Sequence, residues 1–360
     1  MEDVKLMKGN EALAEAAIRA GADAYFGYPI TPQSEVIEYL MVERPENRTG
    51  MVVLQAESEI AAIHMVYGAA GAGKKVMTSS SSPGISLKLE GISYLAGSEL
   101  PCLLVNVVRA GPGLGTIQPG QSDYFQATKG GGHGDYRMPV LAPSTVQEMA
   151  DFVDMGFELA FKYRNPVMIL SDGAIGQMME KVYLPKQKER LTNEEVIEKY
   201  GSWATTGKPK SRERNIITSL ALKPEDMENH NLHLQAKYKK IEENEVLFED
   251  IDCENADYII VAYGTSARIS QKAAQLGKDK GIKIGILRLI TLWPFPTKII
   301  SSYADKVKGF LAVEMSAGQM VEDVRLAVNG KVPVAHYGRM GGMIPTPSEV
   351  LDALEEKIIN

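Results

Sequence analysis

Glu59 stands where a carboxylate is costly. It follows the run Val52-Val53-Leu54-Gln55-Ala56-Glu57-Ser58 and opens an uncharged stretch, 60–73, made of Ile, Ala, Met, Val, Tyr and Gly with one histidine. The β-branched run reads as a short buried strand. The stretch after it reads as a helix, apolar or small nearly all round and so buried nearly all round. Taking a lone carboxylate out of water costs several kcal/mol even after relaxation, on the order of the penalty for other buried ions. Two readings stand side by side. In one, Glu57 and Glu59 stay wet in the first helical turn, where acidic side chains favour the macrodipole. In the other, Glu59 points into a dry cleft and is satisfied by a ligand. A cofactor whose ring nitrogen is held protonated by a buried acid would suit that position.

Three other groups could do chemistry. In Tyr28-Pro29-Ile30-Thr31-Pro32 a strand over 24–28 turns into a helix over 34–42. Two prolines three apart stiffen the turn and set where Thr31 points. In an open α/β sheet such a turn lies at the carboxyl edge, where ligands bind; a Thr31 that merely caps the helix is the plainer alternative. Ser80-Ser81-Ser82-Pro83-Gly84 follows a strand and opens a helix over 85–95, so hydroxyls and backbone N–H groups converge as an anion would want. The same residues also suit an ordinary serine-capped start. Arg109 ends the strand 102–108 ahead of the glycine-rich loop 111–123. A guanidinium there suits a two-pronged grip on a carboxylate, or else a structural ion pair.

The elements that must position these groups form an α/β pattern. Apolar runs alternate with helical patterns in two blocks, which predicts two parallel-sheet domains. The first occupies 1–180 and ends after the strand 167–170. From Lys181 the chain turns charge-dense, and 181–255 reads as a connecting segment with some helix, lying over the surface. The second domain, 256–360, has strands over 258–263, 284–289, 310–314 and 332–336. His230 and His233 lack carboxylate or thiolate companions at ligand spacing, so no metal site is expected.

Composition narrows the function. The 360 residues are 44% apolar and 24% charged, ordinary for a globular protein with room for two cores. A net charge of -7 and the absence of a basic stripe argue against nucleic acid. The longest uncharged run is too short and too rich in glycine to cross a bilayer. The N-terminus has no basic segment leading into an apolar one, so a cytoplasmic protein is expected. Two cysteines, Cys102 and Cys253, are too few for a disulfide framework or for the four thiolates of an iron–sulfur cluster. Familiar motifs fail. Gly68 to Lys75 nearly spells a phosphate loop but lacks the magnesium-holding hydroxyl and ends a helix. Gly111-Pro112-Gly113-Leu114-Gly115-Thr116 misplaces the third glycine of a dinucleotide fingerprint. Asp172-Gly173 starts like a diphosphate–magnesium motif and does not continue as one.

The Tyr28–Pro32 turn, Glu59 with its small-residue helix, the serine turn and Arg109 together resemble the α subunit of the 2-oxoacid:ferredoxin oxidoreductases. Gly264-Thr265-Ser266 and the run from Leu287 to Pro294 resemble that subunit's transketolase C-terminal-like domain. The resemblance implies a pyrimidine-binding thiamine diphosphate domain, with Glu59 as the catalytic acid at the aminopyrimidine. It implies Tyr28, Pro29 and Ile30 at the cofactor, and Thr31 and Arg109 at the substrate, Arg109 on its carboxylate. The cofactor would be shared with a β subunit bringing the diphosphate–magnesium motif. Iron–sulfur clusters would sit on a ferredoxin-like subunit, with or without a γ subunit, and electrons would leave to external ferredoxin. The product would be an acyl-CoA made from the 2-oxoacid and coenzyme A. The loop 113–118 is closer to the branched-chain, 2-oxoisovalerate, members than to the 2-oxoglutarate ones. A thiamine enzyme half without ferredoxin and a non-catalytic assembly subunit are the competing expectations.

Overall fold

The computed structural model describes residues 3–360; Met1 and Glu2, the start of the stretch read above for a leader, lie outside the described residues. A seven-stranded sheet carries the first half of the chain. Its order is Thr291–Trp293, Val140–Leu141, Pro166–Asp172, Cys102–Val108, Val76–Ser80, Ala24–Gly27, Val52–Gln55. Every pairing is parallel except that of Thr291–Trp293. Every residue of Cys102–Val108 and Pro166–Asp172 is buried, as a parallel sheet covered on both faces requires. Alternation divides their side chains. Leu103, Val105 and Val107 join the core under the helices Gly9–Arg19 and Val146–Tyr163, while Leu104 and Val108 join the one under Glu59–Gly71 and Ser82–Gly97.

A five-stranded sheet follows, ordered Val334–Gly338, Gly309–Glu314, Tyr258–Ala262, Ile284–Leu289, Phe248–Ile251, with the last strand antiparallel. The chain then crosses back, because Thr291–Trp293 pairs with Val140–Leu141 at the edge of the first sheet. Asp3–Lys8 and Met179–Leu184 form a separate antiparallel ladder. The charge-dense segment contains the helices Asn193–Tyr200 and Pro224–Asn244; the second buries Leu234, Tyr238 and Ile241, a stripe hidden among lysines and glutamates.

Two expectations need correction. Val52–Gln55 is not a buried strand but the sheet's outer edge, with Val52 and Leu54 exposed. The helix Glu59–Gly71 is not buried all round either. Its inner stripe, Glu59, Ala62, Ile63, Val66 and Ala70, packs inward, while Ile60 is 48% exposed beside exposed His64, Met65 and Gly68. An apolar composition cannot distinguish a helix enclosed by its own chain from one with a face left open.

The two sheets are joined by polar groups. Arg288 donates to Glu148 at 2.7 and 2.9 Å, to Ser144 Oγ at 2.9 Å and to Glu249 at 2.6 Å. Gln121 donates to the Tyr263 carbonyl at 2.9 Å and accepts from Ser266 Oγ at 2.6 Å and Met315 N at 2.9 Å.

A second buried charge steadies the outer helices. Glu15 is wholly buried and accepts from Arg19 at 2.6 Å and from Arg48 at 2.8 and 3.0 Å. Burial pushes its carboxyl up, but Arg48 and Arg19 outweigh that, and it lies below the usual 4.5. A depressed carboxyl contributes stability that is complete above the unfolded value and lost as pH falls through the folded one. Glu15→Gln should therefore cost about 2 kcal/mol at pH 7 and flatten the loss of stability below pH 4.5. Denaturant melts of both proteins across that range check it.

Candidate functional site at the carboxyl edge of the first sheet

Four neighbouring parallel strands end at one edge, and each hands over a candidate. Ala24–Gly27 leads to the Tyr28–Pro32 turn, Val52–Gln55 to Glu59, Val76–Ser80 to the serine turn, and Cys102–Val108 to Arg109. That is where an open α/β sheet binds ligands.

The structure separates the two acids. Glu57 is exposed and accepts a hydrogen bond from Ser58 Oγ at 2.8 Å. Glu59 is 6% exposed and forms no hydrogen bond among the described residues. Ser58 caps the helix, its hydroxyl accepting from Ala61 N at 3.2 Å, so the Glu59 carboxylate is left over. Across from it lies the start of Ser82–Gly97. A Cβ on Gly84 would come within 2.7 Å of Glu59 Oε1 and 2.1 Å of Ser80 Oγ, so only glycine allows this approach. Ser80 Oγ and Ser81 Oγ are buried without partners. Buried polar atoms are normally satisfied, and the Ser80 hydroxyl, orphaned beside an unpaired acid, is the kind of atom that a ligand satisfies.

The proline-rich turn is held from below. Tyr25 OH meets Ser79 Oγ at 2.7 Å, Ser79 Oγ donates to Gln33 Oε1, and Gln33 Nε2 reaches the Tyr28 carbonyl at 3.2 Å. Asn10 and Gln177 donate to the Pro32 carbonyl at 2.8 and 3.0 Å. Tyr28 and Thr31 are exposed and Pro29 and Ile30 half-buried. Arg109 is buried and forms no ion pair among the described residues; Nη1 donates to the Thr31 carbonyl and Nη2 to that of Leu114, each at 3.0 Å. Its Nε is buried without a partner. Arg109 thus ties the turn to the glycine-rich loop and still has donors to spare. Ser82 holds the arginine's backbone from both sides at 3.1 Å, and Asn106 joins Ser82 N to Asp123. Sequence reasoning singled out the serine turn but missed Gln33 and Asn106, and with them the ties from Ser79 to Gln33 and from Ser82 to Arg109. Buried polar residues inside apolar strands, such as Ser79 and Asn106, were the available signal.

Other candidates have structural employment. The Asp172 carboxylate caps Gly173–Gln177 and accepts from Thr265 Oγ1 at 2.8 Å. His230 meets the Gly97 carbonyl and His233 the Glu99 carboxylate. Among the described residues no cluster of His, Cys, Asp and Glu could hold a metal, and no helix is long and apolar enough to cross a membrane.

A family model described as pyruvate flavodoxin/ferredoxin oxidoreductase, thiamine diphosphate-binding, matches residues 15–250, and one for core domain II of pyruvate:ferredoxin oxidoreductase matches 256–350. The chain is 49% identical over 354 residues to the ketoisovalerate oxidoreductase subunit VorB of Methanothermobacter thermautotrophicus, covering 98% of this chain and 97% of that one. It belongs to the 2-oxoacid:ferredoxin oxidoreductase family. It is a subunit of an oxidoreductase and carries that family's thiamine-diphosphate-binding domain. The 2-oxoglutarate synthase subunit KorA of Archaeoglobus fulgidus is 36% identical over 359 residues, covering 99% of this chain and all of that one. Among solved structures, the 2-oxoglutarate:ferredoxin oxidoreductase of Magnetococcus marinus, with 2-oxoglutarate, coenzyme A and succinyl-CoA bound, superposes with a TM-score of 0.85 at 28% identity. The match takes in 99% of this chain, which spans 65% of the length of that one. A split-gene transketolase, with 14% identity and a TM-score of 0.59, covers 98% of both chains and supports the two-domain α/β fold alone.

The residues present fit the ring half of thiamine diphosphate: an acid with no protein partner, orphaned hydroxyls beside it and a glycine that keeps the space open. Gly84→Ala should displace the Glu59 carboxylate and weaken thiamine diphosphate binding in the assembled complex about tenfold or more. Calorimetric titration would measure it, with an unchanged melting profile showing that the fold is intact.

Proposed function

We propose that this chain is the α subunit of an enzyme that oxidatively decarboxylates a branched-chain 2-oxoacid, 2-oxoisovalerate above all, to its acyl-CoA while reducing ferredoxin. The observation that carries this reading is Glu59, largely buried, free of protein partners and close to the orphaned Ser80 hydroxyl at the edge where four strands end. When bound, thiamine diphosphate supplies an electron sink for loss of carbon dioxide. Glu59 holds the proton at the ring nitrogen. Tyr28, Pro29 and Ile30 line the cofactor, Thr31 faces the substrate, and the spare donors of Arg109 take its carboxylate. Leu114, 83% exposed, and Ile117 form an apolar rim beside Arg109 suited to an aliphatic chain, and the higher identity to a ketoisovalerate subunit than to a 2-oxoglutarate one favours the same substrate.

The rest of the reaction belongs to partners. Exposed Ile60, Met65 and Leu87 lie on two helices packed together, Ile60 and Met65 on the helix that Glu59 opens, and the edge strand that leads into that helix exposes Val52 and Leu54. Such a patch suits a β subunit that closes over the ring and brings the diphosphate and Mg2+. Cys102 and Cys253 are both buried and too few to hold a cluster. The clusters are assigned to a ferredoxin-like subunit, with or without a γ subunit, and external ferredoxin is the acceptor. The division into a pyrimidine-binding domain over 1–180, a connecting segment over 181–255 and a transketolase C-terminal-like domain over 256–360 belongs to this reading, as does a cytoplasmic location.

A reconstituted complex should prefer 2-oxoisovalerate to 2-oxoglutarate in kcat/KM; the reverse order would move the assignment to the 2-oxoglutarate enzymes. Reduction of viologen or ferredoxin separates this reading from a thiamine enzyme half without ferredoxin. Glu59→Ala should lower 2-oxoacid-dependent viologen reduction by about a hundredfold or more, and undiminished turnover would exclude Glu59 from the chemistry. Arg109→Lys should raise KM for the 2-oxoacid about tenfold, because an ammonium cannot reproduce the planar fork. Initial-rate kinetics at saturating coenzyme A would read it.

A further inference from the structure

Lys88 lies midway along Ser82–Gly97 with no exposed surface. A lysine usually carries its ammonium to water on a flexible stem, and one wholly enclosed is rare unless paired. Lys88 forms no ion pair among the described residues, and its one hydrogen bond there is donated to Thr78 Oγ1 at 2.7 Å. Its place on the helix is telling. Gly84, Lys88 and Gly91 are spaced i, i+4, i+7 and so share one face. A Cβ at Gly84 would strike Glu59, and one at Gly91 would come within 2.5 Å of Ile63, four residues further along the opposing helix. The two glycines press this face against Glu59–Gly71, and Lys88 stands between the two contacts.

The charged and titratable groups around it are few. Glu59–Gly71 contributes Glu59, Tyr67 bonded to Ser98, and His64 on the exposed face. Val76–Ser80 contributes none, only the Thr78 hydroxyl. Cys102 is a thiol pushed up by burial, and Asp172 is taken by Thr265. On its own helix, Glu90 and Tyr94 bond each other in solvent. Burial pushes Lys88 down to about 7, and Glu59 is the charge that opposes the fall.

We propose that Lys88 is a positioning residue: its buried ammonium biases Glu59 toward the carboxylate, so that the proton shared between Glu59 and the cofactor ring nitrogen rests on the ring. With the cofactor bound, the proton between Glu59 and the ring nitrogen would sit on the ring, Lys88 would keep its own, and the charge left on Glu59 would be opposed by the ammonium on the neighbouring helix. The inference rests on the function proposed above. Its sign with pH follows from the charge. Lys88 is protonated below its value near 7 and neutral above it, so its support for the Glu59 carboxylate is strongest on the acid side and fades as pH rises through neutrality.

The test uses the assembled complex, titrated with thiamine diphosphate from about pH 6 to about pH 8.5, with near-ultraviolet circular dichroism reading the protonation form of the bound ring. Lys88→Met keeps the stem and removes the charge. It should weaken binding about tenfold at the acid end, abolish the transition near neutrality and lower the ring-protonated signal. Wild-type affinity, transition and spectrum in that variant would overturn the proposal. If Lys88→Met does not assemble, Thr78→Val removes the ammonium's acceptor and should move the transition down by about half a pH unit; an unmoved transition would overturn the proposal equally. Glu59→Ala, run alongside, keeps the two questions apart. Wild-type cofactor binding in that variant discards the role of Glu59 at the ring, on which the proposal rests, whereas lost binding there beside a silent Lys88→Met discards only the role of Lys88.

Discussion

A largely buried carboxyl group left unpaired by its own chain is the constraint around which the first domain is built. Such a group is costly to bury, and a fold retains one only if something outside the chain meets it. Much of the local structure follows from keeping that place open. Ser58 takes over capping of the helix, which releases Glu59 from the backbone. Gly84 omits the one side chain that would fill the gap, and Gly91 brings the two helices together below it. Ser80 and Ser81 direct hydroxyls toward a region where the protein offers them nothing. Each feature is unfavourable or neutral by itself, and together they leave an acid beside a glycine and a hydroxyl with no protein partner for either polar group.

The second support of the site is a bracket of backbone carbonyls. Thr31, Pro32, Tyr28 and Leu114 all present carbonyl oxygens to side-chain donors: Arg109, Asn10 and Gln177 from other elements, and Gln33 from the end of the turn itself. Binding a turn through its carbonyls leaves its side chains free, so Tyr28 and Thr31 can face outward while the chain beneath them is fixed. Arg109 serves this bracket with one N–H from each terminal nitrogen, which a lysine could do only in part. The same side chain can therefore shape the site and still offer donors to a ligand.

How far this could be read from the residues depends on what each inference required. The strands and helices of the first sheet were readable because parallel strands buried on both faces are almost purely apolar and end in glycine, proline or serine turns. Glu59 stood out because an acid at the head of an uncharged helix conflicts with its surroundings, and such a conflict is visible in one dimension. The pairing of Thr291–Trp293 with Val140–Leu141 was not readable, since three apolar residues carry no sign of which sheet they join. The exposure of Ile60 and Met65 was hidden because composition reports what a face prefers, not whether its own chain covers it. Lys88 was invisible for the opposite reason: a lysine in a helix is ordinarily a wet lysine, and only the glycines on either side of it, understood as a contact, say otherwise.

The open apolar face and the unpaired acid are one fact seen from two sides. Glu59 is shielded by its own chain on the side of Gly84 and Ser80, yet on the other side its helix presents Ile60 and Met65 to solvent. Left so, the site would be half dry, and a charge near its rim would be weakened by water. Covering that face with an apolar partner removes the exposed surface and completes the low-dielectric wall around Glu59 and Lys88 in the same step. Under the proposed function, assembly would then do more than bring missing groups to this chain: it would set the strength of the electrostatics inside it.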